Sequence, residues 1–153
     1  MESRLRLPVG LVVDDDPQVL KLLVRGLKDQ GFHVVSAHSR EEAEQAGQGL
    51  SSLDVLVTDI FLGDGWGGEL AFSLKADWPG LAVVFISGQT ADDPVLRHGI
   101  ESHMVFLEKP FTLLQLGEAV EAATGAAQTR DLSKDDPEGA VSSKDDNTRQ
   151  YLS

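Results

Sequence analysis

The sequence predicts an α/β fold in which five parallel strands form one sheet, doubly wound with helices over both faces. Three observations carry this reading. Short apolar runs rich in β-branched residues recur five times along the 153 residues. Segments with helical spacing or helix-cap signals separate them, and a parallel pair needs such a crossover, which is right-handed. Three of the runs end in charge, at Asp14-Asp15-Asp16, at Asp59 and at Lys109. The C-terminal edge of a parallel sheet is where ligands bind, so these groups are expected to converge.

The first strand is residues 9–13, and Pro17 opens a helix capped by Asp16. Leu20, Leu23, Val24 and Leu27 give that helix an apolar face, and Gly31 ends it. Residues 32–37 form the second strand. Ser39 through Glu42 is a capping box, in which Glu42 donates its amide to the Ser39 hydroxyl and reaches back with its carboxylate. The Ala-rich helix that follows has a weak apolar face and little to anchor it. Residues 55–59 form the third strand, followed by the loop Gly63-Asp64-Gly65-Trp66-Gly67-Gly68, rich enough in glycine to be mobile. Leu70, Leu74 and Trp78 mark a third helix, stopped by Pro79-Gly80. Residues 81–86 are the fourth strand, Asp92 or Asp93 before Pro94 starts a short helix, and residues 104–107 are the fifth strand. Thr112 through Gln115 is a second capping box, opening a helix with Leu113, Leu116 and Val120 inside.

Composition bounds the function. Apolar residues make up 41% of the chain, as in a packed globular core, and no apolar run approaches a membrane span. There is no cysteine, so neither disulfides nor thiolate chemistry enter, which suits the cytoplasm. A formal charge of -12 opposes nucleic-acid binding, which rests on Lys and Arg neutralising phosphates. The expected domain covers residues 7–124. Residues 125–153 carry many charges and few apolar groups and read as a disordered polar tail. His33, His38, His98 and His103 lack metal-ligand spacing and read as surface residues; Trp66 and Trp78 read as packing groups.

Val12-Val13-Asp14-Asp15-Asp16-Pro17, Asp59 after its apolar run, Ser87 in Phe-Ile-Ser-Gly, and Lys109-Pro110-Phe111 occur in order and at suitable spacing. Together they resemble the receiver domain of bacterial two-component response regulators, a flavodoxin-like fold. The stretch from Arg97 to Thr112 is similar to receivers attached to hybrid histidine kinases. The resemblance implies that Asp59 is the phosphoacceptor and that Asp14, Asp15, Asp59 and the Phe61 backbone carbonyl hold Mg²⁺. It implies that Ser87 and Lys109 bind the phosphoryl group, that Ser87 and Phe106 form the switch, and that Phe61 and Gln89 tune the lifetime of the phosphoryl group. The chemistry suits those residue types. A carboxylate attacking an already negative phosphoryl group needs charge neutralisation and positioning above all, and Mg²⁺ prefers oxygen ligands.

Two departures stand out. Gly63 occupies a position where the family usually has proline, and Phe106 one where it often has tyrosine, so the switch ring cannot hydrogen-bond. The loop also fits G-x-G-x-x-G, but Asp59 and the lack of a basic neighbour oppose a dinucleotide site. The expected protein is a stand-alone receiver, not a turnover enzyme. Its partners are a histidine kinase or histidine phosphotransfer protein and a downstream protein target, with no nucleic acid or membrane. It is a monomer or a phosphorylation-dependent dimer. The rival readings are a Mg²⁺-dependent aspartyl-phosphate phosphohydrolase, for which Phe61 stands where a second acid is wanted, and a phosphorylation-independent interaction module.

Overall fold

The computed structural model describes residues 6–88 and 104–132, with side chains as far as residue 125. Gln89, His98, His103, the helix expected after Asp92 and residues 133–153 lie outside the described residues. Strands β1 (Val9–Val13), β2 (His33–Ala37) and β3 (Val55–Asp59) are joined by helices α1 (Pro17–Asp29) and α2 (Arg40–Gln48). A small hairpin, β4 (Phe61–Leu62) and β5 (Gly65–Trp66), leads into α3 (Gly67–Asp77). Strands β6 (Ala82–Ser87) and β7 (Val105–Glu108) and helix α4 (Leu113–Leu132) complete the described elements.

The main sheet runs β2-β1-β3-β6-β7, and every described pairing in it is parallel. Chain direction across the sheet reverses at β1, with β2 on one side and β3 on the other. That reversal opens a crevice at the C-terminal ends of β1 and β3. Register does the rest: Val13 pairs with Thr58, so Asp14 and Asp59 emerge side by side.

Central strands β1 and β6 are buried along their whole length, as expected of strands covered on both faces. On one face Leu11, Val13, Leu56, Val83 and Phe85 pack with Ala43 of α2 and Leu70 and Leu74 of α3. On the other, Val12, Val57, Val84 and Ile86 pack with Leu20, Leu23 and Leu27 of α1 and Leu116 and Val120 of α4. No helix among the described residues is long and apolar enough to cross a membrane.

The caps follow the sequence closely. Asp16 accepts from the Gln18 amide at 2.9 Å, with Pro17 in the first turn of α1. Gly31, at φ +93, turns the chain after α1. Thr112 and Gln115 exchange both bonds of a capping box. In α2 the Ser39 hydroxyl accepts from Glu42, but the Glu42 carboxylate passes its own cap residue and takes the His38 amide at 2.6 Å. Helix α2 buries only small residues, Ala43 and Gly47, in line with its weak apolar face. Helix α4 runs to Leu132, beyond the boundary drawn at residue 124 from composition.

Candidate functional site

Asp14 and Asp15 follow β1, Asp59 ends β3, Ser87 ends β6, and Lys109 follows β7. The sheet thus delivers five sequence-predicted residues to one edge. Carboxylate oxygens of Asp14, Asp15 and Asp59 lie within 4.8 Å of one another. Lys109 Nζ reaches into this cluster, 2.9 Å from Asp59 Oδ2 and 3.2 Å from Asp14 Oδ2. Its backbone amide donates to the Ser87 carbonyl at 2.8 Å, which fixes the start of the lysine stem against β6. The Lys109–Pro110 peptide is cis.

Asp14 is completely buried, and a charged carboxylate there has lost its hydration. Burial pushes its pKa up, against the opposing effects of the Asp16 amide on Oδ1 and of the Lys109 charge. Asp14 Oδ2 faces Lys109 but accepts no hydrogen bond from any described residue. For Lys109, burial pulls the pKa down, yet the Asp59 hydrogen bond and the charges of Asp59 and Asp14 together raise it. Three carboxylates against one ammonium leave the pocket short of positive charge. The oxygen donors, with the buried Asp14 Oδ2 facing only the Lys109 ammonium among the described residues, fit a hard divalent cation. Asp15 is exposed and Asp59 half-buried, so the cluster opens to solvent on one side.

The loop after Asp59 folds into the β4–β5 hairpin. Phe61 pairs with Trp66 and Leu62 with Gly65, leaving Gly63-Asp64 as a two-residue turn. Three anchors hold the loop in this conformation. Asp64 accepts from the Arg40 and Glu41 amides at 2.9 and 3.1 Å. The Gly67 amide donates to the Ile60 carbonyl at 2.6 Å. Trp66 packs against the core, its buried Nε1 without a partner among the described residues. A β-carbon on Gly67 would lie 2.2 Å from the Asp59 carbonyl oxygen, so this glycine is required by close backbone approach.

Neither Asp64 nor Gly67 was picked out by sequence reasoning. The Gly-Asp pair between Leu62 and Gly65 is a turn signal that marks Asp64, but Gly67 has no local signature. Phe61 is 45% exposed at the mouth of the pocket, and its amide donates to Asp59 Oδ1 at 3.3 Å. Ser87 is buried at the end of β6. Phe106 is half-buried on β7 against Phe85, ring centroids 5.8 Å apart. Gln89 lies outside the described residues. His33 and His38 are exposed, and Trp78 is half-buried against the core.

A family model described as the response regulator receiver domain matches residues 11–121. The sensor kinase CckA of Brucella abortus is 30% identical over 112 residues, covering 72% of this chain and 12% of that protein. The transcriptional regulatory protein PrrA of Mycobacterium tuberculosis is 34% identical over 125 residues, covering 80% of this chain and 52% of that protein. The chain therefore spans from about an eighth to about half of these relatives. A response regulator receiver protein from Sinorhizobium medicae superposes with TM-score 0.70 at 28% identity, covering 82% of this chain and 98% of that one. The receiver domain of the hybrid histidine kinase CckA gives 0.61 at 26%, covering 76% and 98%. The match takes in Asp14, Asp15, Asp59, Ser87 and Lys109, the residues that the sheet gathers at one edge, and the chain belongs to the response regulator receiver domains of two-component signalling.

Proposed function

We propose that this receiver takes a phosphoryl group onto Asp59 from the phosphohistidine of a histidine kinase or phosphotransfer protein, with Mg²⁺ held by Asp14, Asp15, Asp59 and the Phe61 carbonyl. The observation that carries the reading is the position of Lys109 Nζ between Asp59 and Asp14 at 2.9 and 3.2 Å. An Asp59 carboxylate oxygen attacks phosphorus as the donor's P–N bond breaks. The imidazole leaves with the bonding pair, and the product is an acyl phosphate. Mg²⁺, when bound, neutralises charge on the phosphoryl oxygens. Lys109 gives up its bond to the Asp59 carboxylate and follows the phosphoryl oxygen, while Ser87 donates to another.

The added charge and acceptors then shift an existing equilibrium of the β7 and α4 face, with Ser87 and Phe106 as the moving parts. Phe106 supplies bulk alone, so its preference is set by packing on Phe85. The readout is a protein partner that binds this face, and the acyl phosphate is lost to water at a rate set by the side chains around it. Incubation with acetyl phosphate, with and without Mg²⁺, tests the chemistry. A hydroxylamine-sensitive phosphoryl adduct that needs Mg²⁺ supports it, and a phosphomonoesterase activity with no adduct contradicts it.

A further inference from the structure

We propose that Asp64 and Arg40 form a latch that positions the cation-binding loop, so that Mg²⁺ affinity depends on two residues outside the ligand set. The proposal rests on the cation site described under Proposed function. Asp64 sits at the tip of the β4–β5 turn, and its two carboxylate oxygens divide two amides at the start of α2. Oδ1 accepts from Arg40 at 2.9 Å and Oδ2 from Glu41 at 3.1 Å. These amides belong to the first turn of a helix, where donors lack helical partners and an anion is favoured. They hold the Asp64 carboxyl below its usual pKa.

Arg40 closes the other side. Its guanidinium binds Glu69 in the first turn of α3 at 2.7 Å and Glu44 in its own helix at 3.3 Å. A β-carbon on Gly65 would meet Arg40 Cδ at 2.6 Å, so the hairpin lies flush on the arginine stem. Both ends of the hairpin frame the pocket, Phe61 at its open end and Gly63 beside Asp64 in the turn. Phe61 bonds Asp59 Oδ1 through its amide, and a β-carbon on Gly63 would lie 3.7 Å from Asp15 Oδ2. Without the proline usual in this loop, the backbone at Gly63 has more freedom to lose on ordering. The latch restricts it before the cation arrives, and preorganisation of that kind raises affinity without adding a contact. Coupling is reciprocal, so the cation must in turn tighten the latch.

The test is isothermal titration of the full chain with MgCl₂, together with amide hydrogen exchange at Arg40 and Glu41. Asp64→Ala is expected to weaken Mg²⁺ about tenfold, equivalent to about 1.4 kcal/mol, while melting close to the wild type. Asp64→Asn keeps one acceptor oxygen but turns an NH2 toward the second amide, and is expected to recover only part of the affinity. In the wild type, Mg²⁺ is expected to slow exchange of both amides. Wild-type affinity in Asp64→Ala overturns the latch. Unchanged exchange of the Arg40 and Glu41 amides when Mg²⁺ is added to the wild type also overturns it. If the wild type itself binds no Mg²⁺, the site reading fails first, and the latch as a device for cation binding falls with it.

Discussion

Gly67 lies against the backbone of Asp59, where a β-carbon would sit 2.2 Å from the Asp59 carbonyl oxygen. The first residue of α3 and the last of β3 are thus packed main chain to main chain. Gly67→Ala must displace one of them, at a cost of about 1–3 kcal/mol for a forced fit in packed surroundings. Because one of the two backbones in contact carries the phosphoacceptor, the rate of phosphoryl uptake is expected to fall more than about tenfold, as misplacement of about 1 Å does to positioned reactions. Thermal melts and acetyl phosphate labelling of this variant check both effects. Gly80→Ala, in open space, is the control and should leave labelling unchanged.

Asp14 is a liability to the metal-free fold. Its folded-state pKa is raised, first by burial, so the folded protein binds the proton more tightly than the unfolded chain does. Stability is then lost as pH rises from the ordinary carboxylate range through the raised value. Asp14→Asn removes that cost, and Lys109 keeps its 2.9 Å bond to Asp59. In EDTA at pH 7 the variant is expected to melt above the wild type, with the difference shrinking as pH falls toward 4. Added Mg²⁺ should reverse the order, since only the wild type retains the full ligand set and gains by binding. Calorimetric scans at the two pH values measure this.

Trp66 reports on the site. It sits opposite Phe61 in the β4–β5 ladder, with a buried indole N–H that lacks a described partner. Mg²⁺ or a beryllofluoride phosphoryl mimic is expected to change its fluorescence. Trp78, at the far end of α3, should respond less. The response is expected to survive in Trp78→Phe and to fall sharply in Trp66→Phe.

Phe61 stands 45% exposed beside the acceptor, a bulky group that cannot orient water. The acyl phosphate is hydrolysed by in-line attack of water, so Phe61→Asn is expected to speed dephosphorylation. A fall of about 1.4 kcal/mol in the barrier is tenfold in rate. Decay of the labelled protein in wild type and variant measures it, and melting should change little because the side chain is not in the core. Gln89 was assigned a water-orienting role by the same resemblance, so Gln89→Leu is the companion variant and should slow the decay.

Much of this was legible in the sequence because the central strands are buried on both sides. Such strands must be continuous apolar runs, and the bounds of β3 coincide with the residues read as a strand. The caps at Asp16 and Thr112 were legible because a cap is a local bond between residues a turn apart. The hairpin was not. Its strands are two residues long, too short for any periodicity, and its order comes from Arg40, Glu41 and Ile60, which are remote in sequence or bonded through backbone alone. Helix α4 continues past residue 124 to Leu132. A run containing Ala126, Ala127 and Gln128 favours helix whether or not it has a face to bury.

The measurement that bears most directly on the central claim is the intact mass of wild type and Asp59→Asn after incubation with acetyl phosphate and Mg²⁺, followed by peptide mapping. The amide is a poor nucleophile and leaves Lys109 paired with Asp14 alone. The wild type is expected to gain one phosphoryl group, mapped to the peptide containing Asp59, and to gain none in EDTA. Asp59→Asn is expected to gain none under either condition. Equal labelling of Asp59→Asn and wild type would contradict the assignment of Asp59 as phosphoacceptor.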